Sequence, residues 1–137
     1  DQQGLVRELS SHWCEGAGRE LHPDRALALD VLRLEASVED ACQAIEAETG
    51  TKPRLWATSA RPSASRMALT EARAQLATTQ WPVLLRLGTA WGLAPSVRES
   101  ADVILEPILG RRDYNHLSVR CAAAILIDRL LGDRGGE

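Results

Sequence analysis

The chain has 137 residues, a length that fits one domain and can bury a substantial hydrophobic core. Hydrophobic residues make up 45% and charged residues 26%, which is the balance of an ordinary globular protein. The net charge of −3 provides no overall basic field of the kind that favours nucleic-acid binding. No apolar run approaches the roughly 20 residues that a membrane span needs, and no signal-peptide pattern is visible.

In the first third of the chain, helical patterns dominate. Apolar side chains recur at helical spacing over residues 5–13, and Pro23 opens a second, short helix. The apolar run at residues 31–34 can form a short strand. Ser37 is a suitable N-cap for the next helix, with acidic residues in its first turn, and Gly50 ends that helix.

From residue 54 onward, apolar strands alternate with helices. The predicted strands are residues 54–58, 82–87 and 103–105. The predicted helices are residues 70–76, 95–100 and 116–131. This alternation predicts an α/β fold in which helices cover both faces of a parallel sheet. Ligands of such sheets bind at the carboxyl ends of the strands, so the segments that follow the strands are the candidate site.

The segment at residues 87–93, Leu-Gly-Thr-Ala-Trp-Gly-Leu, directly follows a predicted buried strand. Gly88 and Gly92 allow positive φ and close approach of the backbone to a ligand. The alternative is an ordinary tight turn from strand to helix. The spacing does not match the dinucleotide fingerprint, and no Gly-Lys-Ser/Thr phosphate loop follows.

The next candidate segment begins after the third strand. The chain runs through Pro107 and Gly110 into a polar cluster at residues 114–118. Asp113 or Asn115 can simply cap the following helix, but the arrival of several polar residues beside a glycine turn favours a binding site.

The first predicted strand also ends in polar residues, Thr58 and Ser59, followed by Arg61. The guanidinium of Arg61 is either a solvated loop charge or a group that binds a phosphate through its planar set of donors.

The last helix has small residues at positions 121–124 and a broad apolar surface, which suggests burial on two sides and a homodimer. The cysteines Cys14, Cys42 and Cys121 are odd in number and widely spaced, and they match neither a metal site nor a disulfide framework. We therefore expect no metal and a reducing, cytoplasmic setting.

Taken in this order, the three loop segments resemble the SPOUT superfamily of trefoil-knotted RNA methyltransferases, and specifically a small bacterial branch of it. Residues 87–93, 105–108 and 113–120 carry this resemblance. It implies a C-terminal knot, a homodimer with the site near its interface, and S-adenosylmethionine bound among the three loops. The residues that it places at the cofactor are Thr58, Ser59, Leu87, Gly88, Thr89, Ala90, Trp91, Gly92, Leu93, Leu105, Pro107, Ile108, Gly110, Tyr114, Asn115, Leu117 and Ser118.

The resemblance also indicates three candidate catalytic residues. Asn115 and Ser118 resemble the polar pair of the superfamily at the last helix, and Arg61 matches a substrate-side arginine. A sulfonium is already a good leaving group, so positioning of the methyl group supplies much of the acceleration. Asn115 can orient a reactant but cannot deprotonate it.

The resulting prediction is an S-adenosylmethionine-dependent methyltransferase that acts on RNA, either tRNA or rRNA, without a membrane partner. The alternative is a non-catalytic knotted module that binds a nucleotide or a partner protein, which the acidic composition leaves open. The acceptor in this prediction is either a ribose or a base.

The start of the chain departs from this branch, whose members usually have a strand before the helix at which this chain begins. We therefore expect residues 1–137 to be a single knotted domain that lacks an N-terminal strand. The alternative is a tag or signal removed before a complete domain. A basic RNA-binding extension, frequent in the superfamily, is not visible.

Overall fold

A computed structural model of the protein describes residues 2–60, 66–89, 91–111, 116–133 and 135. The helices are α1 (Gln2–Cys14), α2 (Gly16–Leu21), α3 (Pro23–Asp30), α4 (Val38–Thr49), α5 (Leu69–Thr78), α6 (Pro95–Glu99) and α7 (Val119–Leu131). The strands are β1 (Arg54–Ala57), β2 (Val83–Arg86) and β3 (Val103–Ile104). The chain divides into two compact units, Asp1–Ala41 and Cys42–Glu137.

The first unit is built from short helices around Trp13. The Trp13 ring meets the His22 ring edge-on with centroids 5.6 Å apart, and the Arg25 guanidinium lies 4.2 Å from the Trp13 ring centroid. This geometry permits a cation–π attraction in addition to apolar contact. Gly18 lets α2 approach α1, because a Cβ there would collide with the backbone carbonyl oxygen of His12.

The strand suggested for residues 31–34 is wrong. Val31 is a turn residue that follows α3, and residues 32–35 pair with no described strand. The amide of Leu32 donates to the carbonyl of Leu29 at 3.0 Å, which extends the end of α3. Four residues, three of them apolar, are too few for periodicity to separate a strand from a helix end.

Both ends of α4 agree with the sequence prediction. The Ser37 hydroxyl accepts the Asp40 amide at 3.0 Å, which is an N-cap hydrogen bond. Gly50 follows the last helical residue with a φ of +73°, a conformation that side chains other than glycine rarely adopt.

The second unit contains a three-stranded sheet in the order β2-β1-β3. β1 pairs in parallel with both neighbours, and Trp56 is aligned with Leu85 on one side and Val103 on the other. This confirms the predicted parallel pairing of the three strands. Because aligned residues of neighbouring strands share a face, these three apolar side chains lie on one face of the sheet.

Helices α5 and α7 pack on that face. The buried cluster consists of Trp56 and Leu105 from the sheet region, Leu69 and Ala72 from α5, and Leu126 and Leu130 from α7. Arg73 also links α5 to the end of α7 through hydrogen bonds. Its Nη2 donates to the Gly132 carbonyl at 2.7 Å and its Nη1 to the Arg129 carbonyl at 3.1 Å. These two bonds satisfy carbonyls at the C-terminal end of α7 that have no partner within the helix.

The last helix begins later than the sequence suggested. It starts at Val119 rather than His116, and its N-cap is Ser118, whose side chain accepts the Cys121 amide at 3.2 Å. The capping role considered for Asp113 or Asn115 therefore belongs to Ser118 in α7. Both of those residues lie outside the described part of the chain.

The opposite face of the sheet carries Arg86, which is only 8% exposed. Its Nη1 donates to the Ser100 hydroxyl at 3.0 Å, at the end of α6. Its other guanidinium nitrogens, Nε and Nη2, are buried without a hydrogen-bond partner among the described residues. No described helix is long and apolar enough to cross a membrane.

Candidate functional site

A cavity of about 760 Å³ lies beyond the carboxyl ends of the three parallel strands. This is the region where ligands of parallel α/β sheets bind, and the volume is within the usual range for small-molecule sites. Residues from all three loop segments singled out in the sequence line it. Since these segments are distant along the chain, the parallel pairing of the strands is what brings them together.

The first loop is fixed to the neighbouring strand and to a half-buried arginine, Arg66. Both the amide and the hydroxyl of Thr58 donate to the Arg86 carbonyl, at 3.1 Å and 3.2 Å. Arg66 donates through Nη1 to the Ser59 carbonyl at 2.8 Å. Burial lowers the pKa of the Arg66 guanidinium from its ordinary value, although an arginine remains protonated in proteins.

In the second loop the two glycines have different roles. Gly92 has a φ of +78° and open space around it, so it supplies the left-handed turn. Gly88 is not among the positive-φ glycines, and a Cβ there would lie 2.7 Å from the Gly92 Cα and closer still to the Gly92 carbonyl carbon and the Leu93 nitrogen. Gly88 therefore permits the close approach of two backbone segments. Trp91 at the tip of the loop is 88% exposed.

The third loop is attached to the start of α5 through Glu106. Its Oε1 accepts the Leu69 amide at 2.8 Å, at the first residue of the helix. The Glu106 amide in turn donates to the Met67 carbonyl at 2.9 Å. Ala68, the N-cap residue of α5, makes no side-chain capping bond, so a carboxylate from a distant segment satisfies this free amide.

One face of α7 completes the wall. Ser118, Ala122 and Leu126 are spaced by four residues, which places them in line along the helix. The small side chain at Ala122 leaves space in the middle of this face. Ser118 therefore both lines the cavity and caps the helix through its hydroxyl.

Most of the proposed cofactor-binding residues that the structure describes line this cavity. They are Thr58, Ser59, Gly88, Thr89, Trp91, Gly92, Leu93, Pro107, Ile108, Leu117 and Ser118. The described residues Leu87, Leu105 and Gly110 are not part of the lining. Leu105 is fully buried in the core, and Leu87 packs against the core. Both residues therefore stabilise the loops without lining the cavity. The predicted positions Arg61, Ala90, Tyr114 and Asn115 lie outside the described residues.

The lining also includes residues that the sequence did not single out for binding. These are Ala60, Arg98, Glu106, Val119, Ala122 and Leu126, whereas His116, which also lines the cavity, belongs to the polar cluster predicted at residues 114–118. Spacing by four residues from Ser118 identifies Ala122 and Leu126 in retrospect. Arg98 had no comparable signal, because a charged residue in a short helix normally faces solvent. Among the described residues, no group of three or more His, Cys, Asp or Glu side chains is arranged to hold a metal ion.

Comparison with known proteins adds an independent observation. A family model described as SAM-dependent RNA methyltransferase matches residues 1–132. A tRNA (guanine-N(1)-)-methyltransferase of Oleidesulfovibrio alaskensis is 48% identical over 133 residues, which are 97% of this chain and 31% of that protein. A protein of the same name from Nitratidesulfovibrio vulgaris is 44% identical over 133 residues, with the same coverage of 97% and 31%. An uncharacterized protein of Aquifex aeolicus is 33% identical over 129 residues, which are 94% of this chain and 63% of that protein.

Proposed function

Since the chain belongs to the family of S-adenosylmethionine-dependent RNA methyltransferases, we propose that it binds this cofactor in the cavity at the strand ends and methylates RNA there. The observation that carries the proposal is the convergence of three loops, distant in sequence, on one cavity. The resemblance to SPOUT enzymes implies a cofactor site formed by these three loops, which supports the proposal.

The chemistry of the cavity wall suits a nucleoside with an amino-acid tail. Leu93 and Ile108 offer apolar surface for a flat base, and the side chains of Thr58 and Ser118 offer hydroxyl groups. Gly88 has no side chain at the point where the second loop folds back on itself, so the loop backbone can close against Gly92 and Leu93 beside the cavity. When bound, the cofactor supplies a methyl group on a sulfonium, and the protein has to orient the acceptor toward it.

On the acceptor side, we assign Asn115 and Arg61 to orientation of the RNA, following the resemblance. Ser118 remains a candidate for the same role, although its hydroxyl already accepts the cap bond of α7. Among the described lining residues, Glu106 and His116 carry groups that can accept a proton from a nucleotide.

The substrate class follows from the family rather than from the named relatives. Two relatives are named as tRNA (guanine-N(1)-)-methyltransferases, but the chain spans only 31% of their length. Their named activity belongs to the whole proteins. We therefore propose that the substrate is RNA, either tRNA or rRNA, and that the reaction takes place in the cytoplasm.

We also retain the architecture that the resemblance implies. This comprises one knotted domain with helices on both sheet faces. The resemblance expects the knot at residues 110–115, of which residues 112–115 lie outside the described part of the chain. The architecture further comprises a homodimer formed through α7. Ile127 and Leu131, on that helix, are 56% and 68% exposed, which is apolar surface that a second subunit can cover.

The direct test is methyl transfer by the intact protein. RNA from a strain that lacks the gene is incubated with methyl-labelled cofactor, and its nucleosides are analysed by mass spectrometry. We expect one methylated nucleoside, absent from the deletion strain, to be restored by the wild-type protein and not by Asn115→Ala. Binding of the cofactor without any transfer to RNA would instead support a non-catalytic module.

A further inference from the structure

Arg98 places a positive charge in the cavity wall, where no interaction among the described residues compensates it. It lies in the last turn of α6, is half-buried, and lines the cavity. Its backbone amide donates to the Ala94 carbonyl at 3.1 Å, but within the described ranges no hydrogen bond or ion pair involves its guanidinium. A guanidinium has five N–H donors, so a half-buried one that lines a cavity has considerable binding capacity left for a ligand.

The same wall carries a negative charge, on Glu106. One of its carboxylate oxygens is occupied by the Leu69 amide at 2.8 Å, which fixes the position of the group. A cavity with a cation and an anion complements a ligand that itself has both charges. The phosphates of RNA carry only negative charge and are repelled by a carboxylate, whereas the amino-acid end of S-adenosylmethionine has a carboxylate and an ammonium group.

We propose that Arg98 binds the carboxylate of the methionyl end of the cofactor. The planar guanidinium can donate two parallel hydrogen bonds to a carboxylate, which orients the tail as well as holding it. The inference rests on the proposed function, because it assumes that the cofactor occupies this cavity. Through Arg98 the protein distinguishes the cofactor from adenosine compounds that lack the amino-acid carboxylate.

The experiment measures binding by the intact protein of two ligands that differ in that carboxylate alone, S-adenosylmethionine and its decarboxylated form. Titration calorimetry is carried out on the wild type, Arg98→Gln and Arg98→Lys. Arg120→Gln is the matched control, because Arg120 is exposed in the first turn of α7 and does not line the cavity. Circular dichroism checks that each variant is folded.

We expect Arg98→Gln to weaken binding of S-adenosylmethionine by at least about tenfold, the size expected for a hydrogen bond to a charged group. Its affinity for the decarboxylated ligand should match that of the wild type. Arg98→Lys should be intermediate, because a lysine keeps the charge without the two-donor geometry. Arg120→Gln should bind both ligands like the wild type.

Two results would overturn the inference while leaving the proposed function intact. One is unchanged affinity of Arg98→Gln for S-adenosylmethionine, especially if its affinity for RNA falls, which would assign Arg98 to a phosphate. The other is an equal loss for both ligands, which would mean that the substitution disturbs the cavity as a whole. Absence of cofactor binding by the wild-type protein would overturn the proposed function itself.

Discussion

Substitution of Gly88 by alanine tests whether the second loop forms the cofactor site. The added Cβ would lie 2.7 Å from the Gly92 Cα, whereas carbon atoms in contact prefer about 3.5–4.0 Å. The obstructing atoms belong to the backbone, so no rotation of a side chain relieves the collision. The two segments must therefore move apart by about 1 Å, at a cost of about 1–3 kcal/mol in the free energy of unfolding.

A displacement of this size matters more for the site than for the core. Misplacement by about 1 Å can reduce the rate of an enzyme on the order of 100-fold. Trp91 at the loop tip is 88% exposed, so the loop can shift without disturbing the buried cluster. We therefore expect Gly88→Ala to bind S-adenosylhomocysteine at least about tenfold more weakly, whereas its core remains folded.

Gly50→Ala is the matched control for this loss of stability. Gly50 has a φ of +73° and open space around it, and it ends α4 outside the cavity lining. Alanine there costs about 1–2 kcal/mol for its left-handed backbone, without affecting the cavity. Urea unfolding and calorimetric titration should show both variants destabilised and only Gly88→Ala impaired in binding. Wild-type affinity in Gly88→Ala would refute the assignment of this loop to the cofactor.

Three further substitutions have expected effects on stability, each measured by urea unfolding. Ser118→Ala removes the N-cap of α7 and should lower the free energy of unfolding by about 1 kcal/mol, and Ser118→Asn should restore it. Arg73→Gln removes the bond to the Gly132 carbonyl and should cost about 1–3 kcal/mol, with faster amide exchange in the last turn of α7. Glu106→Gln keeps an oxygen for the Leu69 amide and should be nearly neutral, whereas Glu106→Ala should cost about 1–3 kcal/mol.

Each of these expectations has a result that contradicts it. Equal stability of the wild type and Ser118→Ala would show that the cap contributes nothing. If Arg73→Gln leaves the rate of amide exchange in the last turn of α7 unchanged, the hydrogen bonds from α5 do not stabilise this turn. A large loss of stability in Glu106→Gln would mean that the charge, and not the acceptor oxygen, stabilises the start of α5.

The parts of the fold that the sequence predicted well are those specified by local patterns. Buried apolar runs flanked by turns identified all three strands, and their separation by helices indicated parallel pairing. Ser37 and Gly50 located both ends of α4, because capping and left-handed turns depend on the residue type at that position. The loops of the cavity followed from the same reasoning, since parallel strands end at one edge of the sheet.

The features that the sequence did not reveal depend on contacts between distant segments. Nothing near Ala68 indicates that α5 is capped by Glu106, which comes from another loop. The position of Arg98 in the cavity wall depends on how α6 packs, and a five-residue helix has too few residues for a periodic signal. The start of α7 was placed too early because the polar cluster before Ser118 contains several residue types that can cap a helix.

The central position of β1 has a consequence for the order of folding. Residues 54–57 of β1 pair with residues 83–86 on one side and with residues 103–104 on the other. Pairing between segments so distant in sequence is slow, because the intervening chain must lose entropy before any contact forms. The pairing of β1 with β2 can form without the pairing of β1 with β3, but the cavity needs both pairings. Recovery of cofactor binding during refolding should therefore lag behind recovery of helical structure, and the lag would report the docking of β3.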